Sequence, residues 1–254
     1  MDDMLFICNT ILVGIVGAIL GSFFNVVGLR VPKKQSIVHP PSCCSHCQRR
    51  LSARDLVPVF SYVVLRGKCR SCGVNISPLY PCVELLTALL FAFTYYIIGW
   101  SPELIVALLF LSLLIIITVS DLVYMLIPNK ILLFFLPILF IGRLISPLTP
   151  WWDSIIGAII GFLMLLSIAF FSKGGMGGGD VKLFFLIGLV LGSISTLLTL
   201  FLASFLGLLF GIISIVQNKY KKKTPIPFGP FIAIAAIVVY FYGASILQWY
   251  GSII

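Results

Sequence analysis

Two aspartates stand beside apolar runs, where a charged side chain is costly. Asp121 lies in ITVSDLVYMLIPNK, and Asp180 follows a glycine cluster in GGMGGGDVKLFF. Two neighbouring carboxylates in a poorly hydrated site cannot easily both ionise, so one keeps a proton while the other acts as a base. Such a pair can hydrolyse an amide, because the base takes a proton from water while the acid protonates the carbonyl oxygen.

Each aspartate taken alone also has a structural explanation. An aspartate at a helix N-terminus, as expected for Asp180, complements the helix dipole, and an acid near a membrane interface can cap a helix or reach water. The adjoining residues can let an extended peptide backbone approach closely or can form a flexible turn. We expect a loop that supports the carboxylates to contain Gly177, Gly178, Gly179 and Lys182. A phosphate-binding loop is not indicated, because no strand precedes it and the glycine-lysine-serine/threonine sequence is missing.

Four cysteines form two C-x-x-C pairs, CSHC and CRSC, separated by 21 residues. Two such turns can present four thiolates to one zinc ion in tetrahedral geometry. Disulfides or redox-active thiols are the alternatives, although disulfides rarely persist in a reducing cytosol. The pattern predicts zinc ligands at Cys44, Cys47, Cys69 and Cys72. His46 is a substitute ligand by position, whereas Cys8, Cys43 and Cys82 have no paired spacing.

The elements that must position these residues are membrane helices. Of the 254 residues, 60% are hydrophobic and 10% are charged, against roughly 25% charged residues in soluble domains. Since a bilayer core takes about 20 apolar residues per helix, we predict an all-α polytopic membrane protein with about eight transmembrane helices. The apolar runs are 5–29, 80–99, 104–125, 131–147, 154–171, 183–194, 196–216 and 228–248. The sixth and seventh are separated only by GSIS, so seven helices remain an alternative.

Basic residues orient these helices, because Lys and Arg collect in cytoplasmic loops. On alternating sides of the predicted helices, sixteen of the seventeen basic residues fall on one side, and Arg143 is the exception. This bias places both termini outside, residues 31–79 in the cytosol, and Asp121 and Asp180 at one depth on the cytoplasmic face. The net charge of +9 is explained by this bias and by attraction to anionic lipid, so no nucleic-acid partner is indicated.

The chain divides into three predicted parts. Residues 1–30 form a first transmembrane helix, 31–79 a cytoplasmic zinc-binding loop, and 80–254 a transmembrane domain that carries both aspartates. The remaining acidic residues fall mainly at helix ends or in the loop, except Glu84, which lies one turn into the second predicted helix.

Five segments in order resemble the type IV prepilin peptidases, or prepilin leader peptidase/N-methyltransferases, which are intramembrane aspartic proteases of the G-x-G-D class. They are GSFFNVVGLRVP (21–32), the paired cysteines with ISPLYPCVELLTA (76–88), SDLVYMLIPNK (120–130), GMGGGDVKLF (175–184) and PIPFGPFIA (225–233). The resemblance implies that Asp121 and Asp180 are the two catalytic aspartates. Asn129 departs from it, since many members carry aspartate there.

The resemblance also implies a substrate, a location and a second activity. The family, in the bacterial cytoplasmic membrane, cuts a short basic leader from prepilins or pseudopilins at the inner face. Many members then methylate the new N-terminus with S-adenosylmethionine, and the cysteine loop resembles that of the bifunctional members. Archaeal-type preflagellin peptidases generally lack this loop. The sequence contains no nucleotide fingerprint, so candidates for the methyl-donor site are given by position: Glu84 and Asn25. The pathway served, among pili, secretion and DNA uptake, is open.

Two other functions also use intramembrane carboxylates or a zinc loop. A proton-coupled transporter would use Asp121 and Asp180 as relay groups on broken helices, but it leaves the cysteine loop unexplained. A membrane adaptor would use the zinc loop to bind a partner and would leave the carboxylates structural.

Overall fold

The structure, a computed structural model, describes residues 2–44, 46–172, 176–217 and 227–252. The regular secondary structure within these ranges is helical. A short 3₁₀ turn covers Ala53–Leu56. The α-helices are α1 (Asp2–Arg30), α2 (Phe60–Val64), α3 (Leu79–Ile98), α4 (Pro102–Tyr124), α5 (Asn129–Ile145), α6 (Asp153–Phe171), α7 (Gly178–Leu191), α8 (Ser193–Val216) and α9 (Gly229–Gly251).

Long apolar helices dominate because a backbone in lipid must satisfy its hydrogen bonds within its own segment. Six of the described helices are long and apolar enough to cross a membrane: α1, α3, α4, α6, α8 and α9. The predicted apolar runs each fall on one helix, so the all-α membrane architecture is confirmed at the level of six spans. The two remaining runs correspond to α5, with 17 residues, and to α7, with 14 residues.

A break at Gly192 separates α7 from α8. Gly192 adopts φ +82, a left-handed conformation that glycine adopts without steric cost. Its N–H donates to the carbonyl oxygen of Gly188 at 2.9 Å, which closes α7. The two runs that the sequence separates only by GSIS are therefore two helices in the described structure.

The chain divides into two compact units, residues 1–108 and 109–254. In the first unit α1 packs along α3 through glycines on one face of α1. A Cβ on Gly17 would lie 2.8 Å from Cβ of Phe91, and one on Gly21 would lie 2.8 Å from Oγ1 of Thr87. Small residues of this kind let two membrane helices approach closely.

Most of α4 is buried, and within the second unit α7 packs closely against α6. The α6–α7 contact again uses glycines, with Gly157 facing Gly188 and Gly161 facing the backbone of Phe184. Helix α7 is buried along most of its length, from Val181 to Val190. The fold thus holds the helix that begins next to Asp180 between its neighbours.

Arg143, the basic residue that breaks the charge bias, caps the C-terminal end of α7. Its guanidinium is buried and donates to the carbonyl oxygen of Val190 from Nε at 3.0 Å and from Nη2 at 2.7 Å. A cation at a helix C-terminus satisfies the last carbonyls and complements the helix dipole. Arg143 therefore has a structural reason to lie opposite the other basic residues.

Asp153 performs the complementary role at the start of α8. Its Oδ1 accepts hydrogen bonds from the backbone N–H of Ser193 at 3.2 Å and from the Ser193 hydroxyl at 2.5 Å. A carboxylate is favourable at a helix N-terminus for the same electrostatic reason. Arg143 and Asp153 therefore fix the two helix ends that meet at Gly192. The basic residues Lys173, Lys219, Lys221, Lys222 and Lys223, used in the orientation argument, lie outside the described residues.

Candidate functional site

Asp121 lies in the last turn of α4, where the helix ends in a tight turn. Its backbone carbonyl accepts the N–H of Met125 at 2.9 Å, and Met125 adopts φ +51. The buried Ser120 hydroxyl donates to the carbonyl oxygen of Leu126 at 2.5 Å. The turn ends α4 at Tyr124 and leads the chain into α5, while the Asp121 side chain stays buried, with the residue 6% exposed.

The N-terminus of α9 contacts the Asp121 carboxylate directly. Oδ2 of Asp121 accepts the backbone N–H of Gly229, the first residue of α9, at 2.7 Å. A Cβ at position 229 would lie 2.8 Å from this oxygen, so the approach requires glycine. Pro230 follows at a helical position where a missing N–H costs nothing. Sequence reasoning placed Gly229 in a motif but gave it no role; the glycine-proline pair at the start of an apolar run was the available signal.

Asp180 lies in the first turn of α7. Gly177 precedes the helix with φ −69 and ψ 133, and its carbonyl oxygen accepts the N–H of Asp180 at 3.1 Å. Gly179 packs against Ile127, because a Cβ on Gly179 would lie 2.6 Å from Cβ of Ile127. The start of α7 therefore lies against the segment that follows α4.

This packing places the two carboxylates on neighbouring segments, because Gly179, next to Asp180, lies against Ile127 in the segment that follows Asp121. Each lies at a helix N-terminus, Asp180 in α7 and Asp121 against α9. Helix N-termini carry partial positive charge and unpaired N–H groups, so they stabilise an anion even where water is scarce. The arrangement can hold one ionised and one protonated carboxyl group side by side.

Lys182 and Asn129 connect α7 to the start of α5. Lys182 is exposed, and its Nζ donates to Oδ1 of Asn129 at 3.0 Å. Both residues lie at one end of a groove of about 340 Å³ whose other lining side chains are apolar, among them Leu132, Leu136 and Phe185. Within the second unit, this is an apolar groove with a polar end two residues from Asp180.

The four predicted cysteine ligands form one cluster. Their sulfur atoms all lie within 4.8 Å of one another, with Cys44 Sγ 3.8 Å from Cys72 Sγ and Cys47 Sγ 4.0 Å from Cys69 Sγ. Zinc–sulfur bonds of about 2.3 Å in a tetrahedron place sulfurs about 3.8 Å apart, so the donor set fits zinc. His46 is exposed and is absent from this cluster, as are Cys8, Cys43 and Cys82.

Two similar turns carry the cysteines. The N–H of Gln48 donates to the Cys44 carbonyl at 3.0 Å, and the N–H of Gly73 donates to the Cys69 carbonyl at 2.9 Å. Gln48 and Gly73 both have positive φ, at 56 and 69. Gly73 is typical of such a turn, whereas nothing in the sequence marks Gln48.

The turns also direct backbone N–H groups at the first cysteine of each pair. The N–H groups of Cys72 and Ser71 lower the pKa of the Cys69 thiol to about 6. The N–H groups of Cys47 and His46 lower the pKa of Cys44 as well. Since the thiolate is the form that binds a metal, the backbone of both turns favours metal binding.

Glu84 and Asn25, the candidates for the methyl-donor site, are buried in the first unit. Oε2 of Glu84 accepts the backbone N–H of Val59 at 2.8 Å, and Val59 has φ +60, which is strained for a β-branched residue. The side-chain amide of Asn25 donates to the Tyr80 carbonyl at 3.2 Å. Its Oδ1 is buried with no hydrogen-bond partner among the described residues.

Comparison with known proteins identifies relatives over nearly the whole chain. Residues 15–98 match the bacterial peptidase A24 N-terminal domain, and residues 108–212 match the type IV leader peptidase family. A prepilin leader peptidase/N-methyltransferase of Bacillus subtilis is 47% identical over 93% of this chain and 95% of its own. Proteins of the same name from Aeromonas salmonicida and Pseudomonas aeruginosa are 35% and 32% identical, each over 96% of this chain and over 94% and 93% of their own. No solved structure matches.

Proposed function

Because this chain belongs to the type IV leader peptidase family, we propose that it is a membrane-embedded prepilin leader peptidase and N-methyltransferase. It cleaves the basic leader from type IV prepilins or pseudopilins at the cytoplasmic membrane face and then methylates the new N-terminal amine. The observation that carries the peptidase is the placement of Asp121 and Asp180 on segments that pack together, each carboxylate at the N-terminus of a helix.

In the first step the two carboxyl groups have different protonation states. The N–H of Gly229 donated to Asp121 favours the ionised form of that carboxylate. We therefore assign Asp121 as the base that takes a proton from water and Asp180 as the acid. The hydroxide adds to the scissile carbonyl carbon while Asp180 donates its proton to the carbonyl oxygen.

In the second step the tetrahedral intermediate collapses. The C–N bond breaks, Asp121 gives the proton taken from water to the leaving amine, and Asp180 takes a proton back from a hydroxyl of the intermediate. Both groups thereby return to their starting protonation states, so no covalent intermediate with the protein is needed. Gly178, where an added Cβ would meet nothing within 4 Å, leaves room beside Asp180 for an extended substrate backbone. Gly177 and Gly179 let the backbone lie close to Asp180 and Ile127, respectively.

The apolar groove lined by Leu132, Leu136 and Phe185 supports a substrate with an apolar segment. The hydrogen-bonded pair of Lys182 and Asn129 lies at one end of this groove, and Lys182 is two residues from Asp180 in sequence. We assign the groove to the apolar segment that follows the cleaved bond. The basic leader is attracted to anionic lipid at the membrane surface, so the two halves of the substrate are held on opposite sides of the scissile bond.

A zinc ion fits the four-cysteine cluster by donor chemistry and by sulfur spacing. Cys44, Cys47, Cys69 and Cys72 would hold it with all four positions filled, which is typical of a structural site. Such a site can fold a loop that has little core of its own. We assign residues 31–79 as the part associated with methyl transfer and residues 80–254 as the part that carries peptide cleavage.

S-adenosylmethionine would supply the methyl group for the new amine. We keep Glu84 and Asn25 as candidates to border its site, because Asn25 Oδ1 is a buried acceptor without a partner and Glu84 is a buried carboxylate. Through its contact with Val59, Glu84 also ties the cysteine loop to α3. Methylation by the Glu84→Ala and Glu84→Gln variants distinguishes a role in methyl transfer from a role in positioning the loop.

We propose the bacterial cytoplasmic membrane as the location, with both termini outside and residues 31–79 in the cytosol. The bias of sixteen basic residues to one side supports this orientation, and the capping role of Arg143 accounts for the exception. Labelling a cysteine introduced at position 52 in intact cells, in a background without other reactive thiols, tests it. Labelling by a membrane-impermeant reagent from outside would overturn the orientation.

A proton-coupled transporter and a zinc-loop adaptor are not supported, because the two family models and the relatives described above are leader peptidases. The decisive experiment incubates purified protein with a prepilin, with and without S-adenosylmethionine, and measures product masses. We expect loss of the leader in both reactions and one added methyl group only with S-adenosylmethionine. An uncut prepilin would contradict the proposal.

A further inference from the structure

The cysteine loop carries an exposed apolar surface that neither zinc binding nor cleavage explains. We call it the α2 patch, and its members are Leu56, Val57, Phe60, Val63 and Val64. Phe60 is 67% exposed and Val63 is 65% exposed, and the other members are exposed too. A contiguous exposed apolar surface of this kind marks a contact with a partner or a membrane.

The patch has a defined geometry. Phe60, Val63 and Val64 follow the i, i+3, i+4 spacing of one helix face. Val57, Phe60 and Val64 also line a groove of about 280 Å³ together with Arg54 and Arg70. The surface therefore combines apolar side chains with exposed guanidinium groups, a composition that suits an anionic membrane interface.

Charge in the loop points to the same partner. Residues 31–79 contain eight basic residues and one acidic residue, Asp55. Asp55 is already paired, because its Oδ1 accepts the Nε–H of Arg70 at 2.8 Å. The surroundings of the patch are thus strongly positive, which attracts anionic lipid headgroups and repels a basic leader peptide.

The chain before α2 is anchored beside the start of a membrane helix. The N–H of Val59, just before α2, donates to Glu84 Oε2 at 2.8 Å, and Glu84 is the sixth residue of the membrane helix α3. At about 1.5 Å per residue, Glu84 lies about 8 Å along α3 from its start. The chain at Val59 is therefore held beside the first turns of a helix that enters the membrane, whichever side of the membrane the loop occupies.

We propose that the α2 patch inserts into the interface of the membrane and binds anionic lipid, with Phe60, Val63 and Val64 among the acyl chains and Arg54 at the headgroups. This inference is independent of the assigned cleavage and methylation activities. The loop that carries the zinc cluster is then held at three places: the end of α1, the start of α3 and the lipid surface.

Site-specific photo-crosslinking tests the proposal in the full-length protein. A photoreactive phenylalanine analogue is placed at position 60 or, as a matched control, at position 38. Val38 is in the same loop and is 68% exposed, but it does not belong to the patch. The protein is reconstituted in nanodiscs of phosphatidylcholine alone or with phosphatidylglycerol, and adducts are identified by mass. Zinc content confirms that each variant retains its loop.

We expect lipid adducts at position 60 to exceed those at position 38 by about tenfold in phosphatidylglycerol nanodiscs, and to fall severalfold in phosphatidylcholine. Equal labelling at the two positions would overturn insertion of the patch. Crosslinks from position 60 to protein would assign the patch to a protein partner instead. Equal lipid labelling in both nanodiscs would overturn the requirement for anionic lipid.

A second measurement uses exchange of the backbone amides. We expect Phe60→Asp to accelerate hydrogen exchange across residues 53–66 in phosphatidylglycerol nanodiscs, because a carboxylate is repelled from the anionic interface. Val38→Asp, which adds the same charge elsewhere in the loop, should leave that exchange unchanged. Identical behaviour of the two variants would contradict the proposal even if both retain zinc.

Discussion

The cysteine cluster and the carboxylate pair are assembled in opposite ways. Each half of the cysteine cluster is a short turn that carries two ligands three positions apart and has its own backbone hydrogen bond, such as the one from Gln48 N–H to the Cys44 carbonyl. The carboxylate pair has no local unit. Asp121, Asp180 and Gly229 come from three different helices, and their approach depends on packing between those helices.

The two sites therefore depend on different residues. Replacing a cysteine ligand weakens metal binding and destabilises the loop that the metal folds. The carboxylates depend in addition on residues that carry no chemistry, such as Gly229 and Gly179, whose missing side chains permit the contacts.

Removing either carboxylate gives the largest loss. Asp121→Asn and Asp180→Asn keep the shape of the side chain but cannot exchange a proton, so we expect leader cleavage to fall by about a thousandfold or more. Asp153→Asn is the matched control in the same unit, because asparagine can still accept the hydrogen bonds from Ser193. Initial rates of prepilin cleavage measure the effect, and substantial activity in either catalytic variant would refute the assignment.

Gly229→Ala should lower activity only by displacing the Asp121 carboxylate. The new Cβ would lie 2.8 Å from Oδ2 of Asp121, and a shift of about 1 Å in a catalytic group can cost about a hundredfold in rate. We expect kcat for cleavage to fall by about ten- to a hundredfold while membrane insertion is retained. Gly251→Ala, in the same helix with nothing within 4 Å of the added carbon, should retain normal kcat. Equal cleavage rates in the two variants would show that the contact of α9 with Asp121 does not contribute to cleavage.

Replacing any one of Cys44, Cys47, Cys69 and Cys72 by serine should separate the two activities. Metal analysis should give about one zinc per chain in the parent protein and a sharply lower content in each variant. We expect methylation to fall more than cleavage, because the carboxylate pair does not use the metal chemically. Equal loss of both activities in folded variants would show that the loop supports substrate capture or the whole fold. Full methylation without metal would exclude the cluster from the mechanism.

Glu84 connects the loop to a membrane helix and should give a smaller effect. Glu84→Ala leaves the N–H of Val59 without its acceptor, which costs about 1–3 kcal/mol for a buried group, and we expect methylation to fall by about tenfold with cleavage retained. Glu84→Gln keeps an oxygen acceptor. Normal methylation in the glutamine variant indicates a positioning role, whereas loss in both variants requires the negative charge itself and supports contact with the methyl donor.

The smallest effect is expected for Asp55 and Arg70. The Ser52 hydroxyl and N–H, followed by Arg70, lower the pKa of Asp55. A lowered pKa adds stability that is present above the unfolded value of 3.8 and is lost as pH falls through the folded value. Because Arg70 is about half exposed, we expect Asp55→Asn to change loop stability at pH 7 by less than about 1 kcal/mol. Cleavage should be unchanged, and thermal unfolding at pH 7 and pH 3 measures the difference.

The sequence was sufficient for the features that follow from local pattern. The apolar runs predicted the helices to within a few residues, and the two C-x-x-C pairs predicted a four-cysteine cluster. Asp121 and Asp180 were paired from the charge bias and the family motifs, and their catalytic roles stay a prediction. The six helices that qualify as spans fall short of the predicted eight, because α5 and α7 are shorter than a usual membrane helix.

Other features required three-dimensional packing. Nothing local in the sequence pairs α1 with α3, although the glycines at positions 14, 17 and 21 follow one helix face. The role of Gly229 was missed because its contact with Asp121 joins distant parts of the chain. Arg143 was an unexplained exception to the charge bias until its contact with the end of α7 was seen.

Helix α7 has a further consequence through its length. Its 14 residues extend about 21 Å, whereas the hydrocarbon core is about 30 Å thick. With its far end fixed by Arg143 at Val190, the helix is mismatched to an undisturbed bilayer by about 9 Å. Because its neighbours bury α7 over most of its length, we expect protein and water, not lipid, to occupy the depth that α7 leaves unfilled. Polar backbone at membrane depth is tolerated where it lines a water-filled recess, and a recess at the Asp180 end would supply the water for hydrolysis while the substrate's apolar segment stays in lipid.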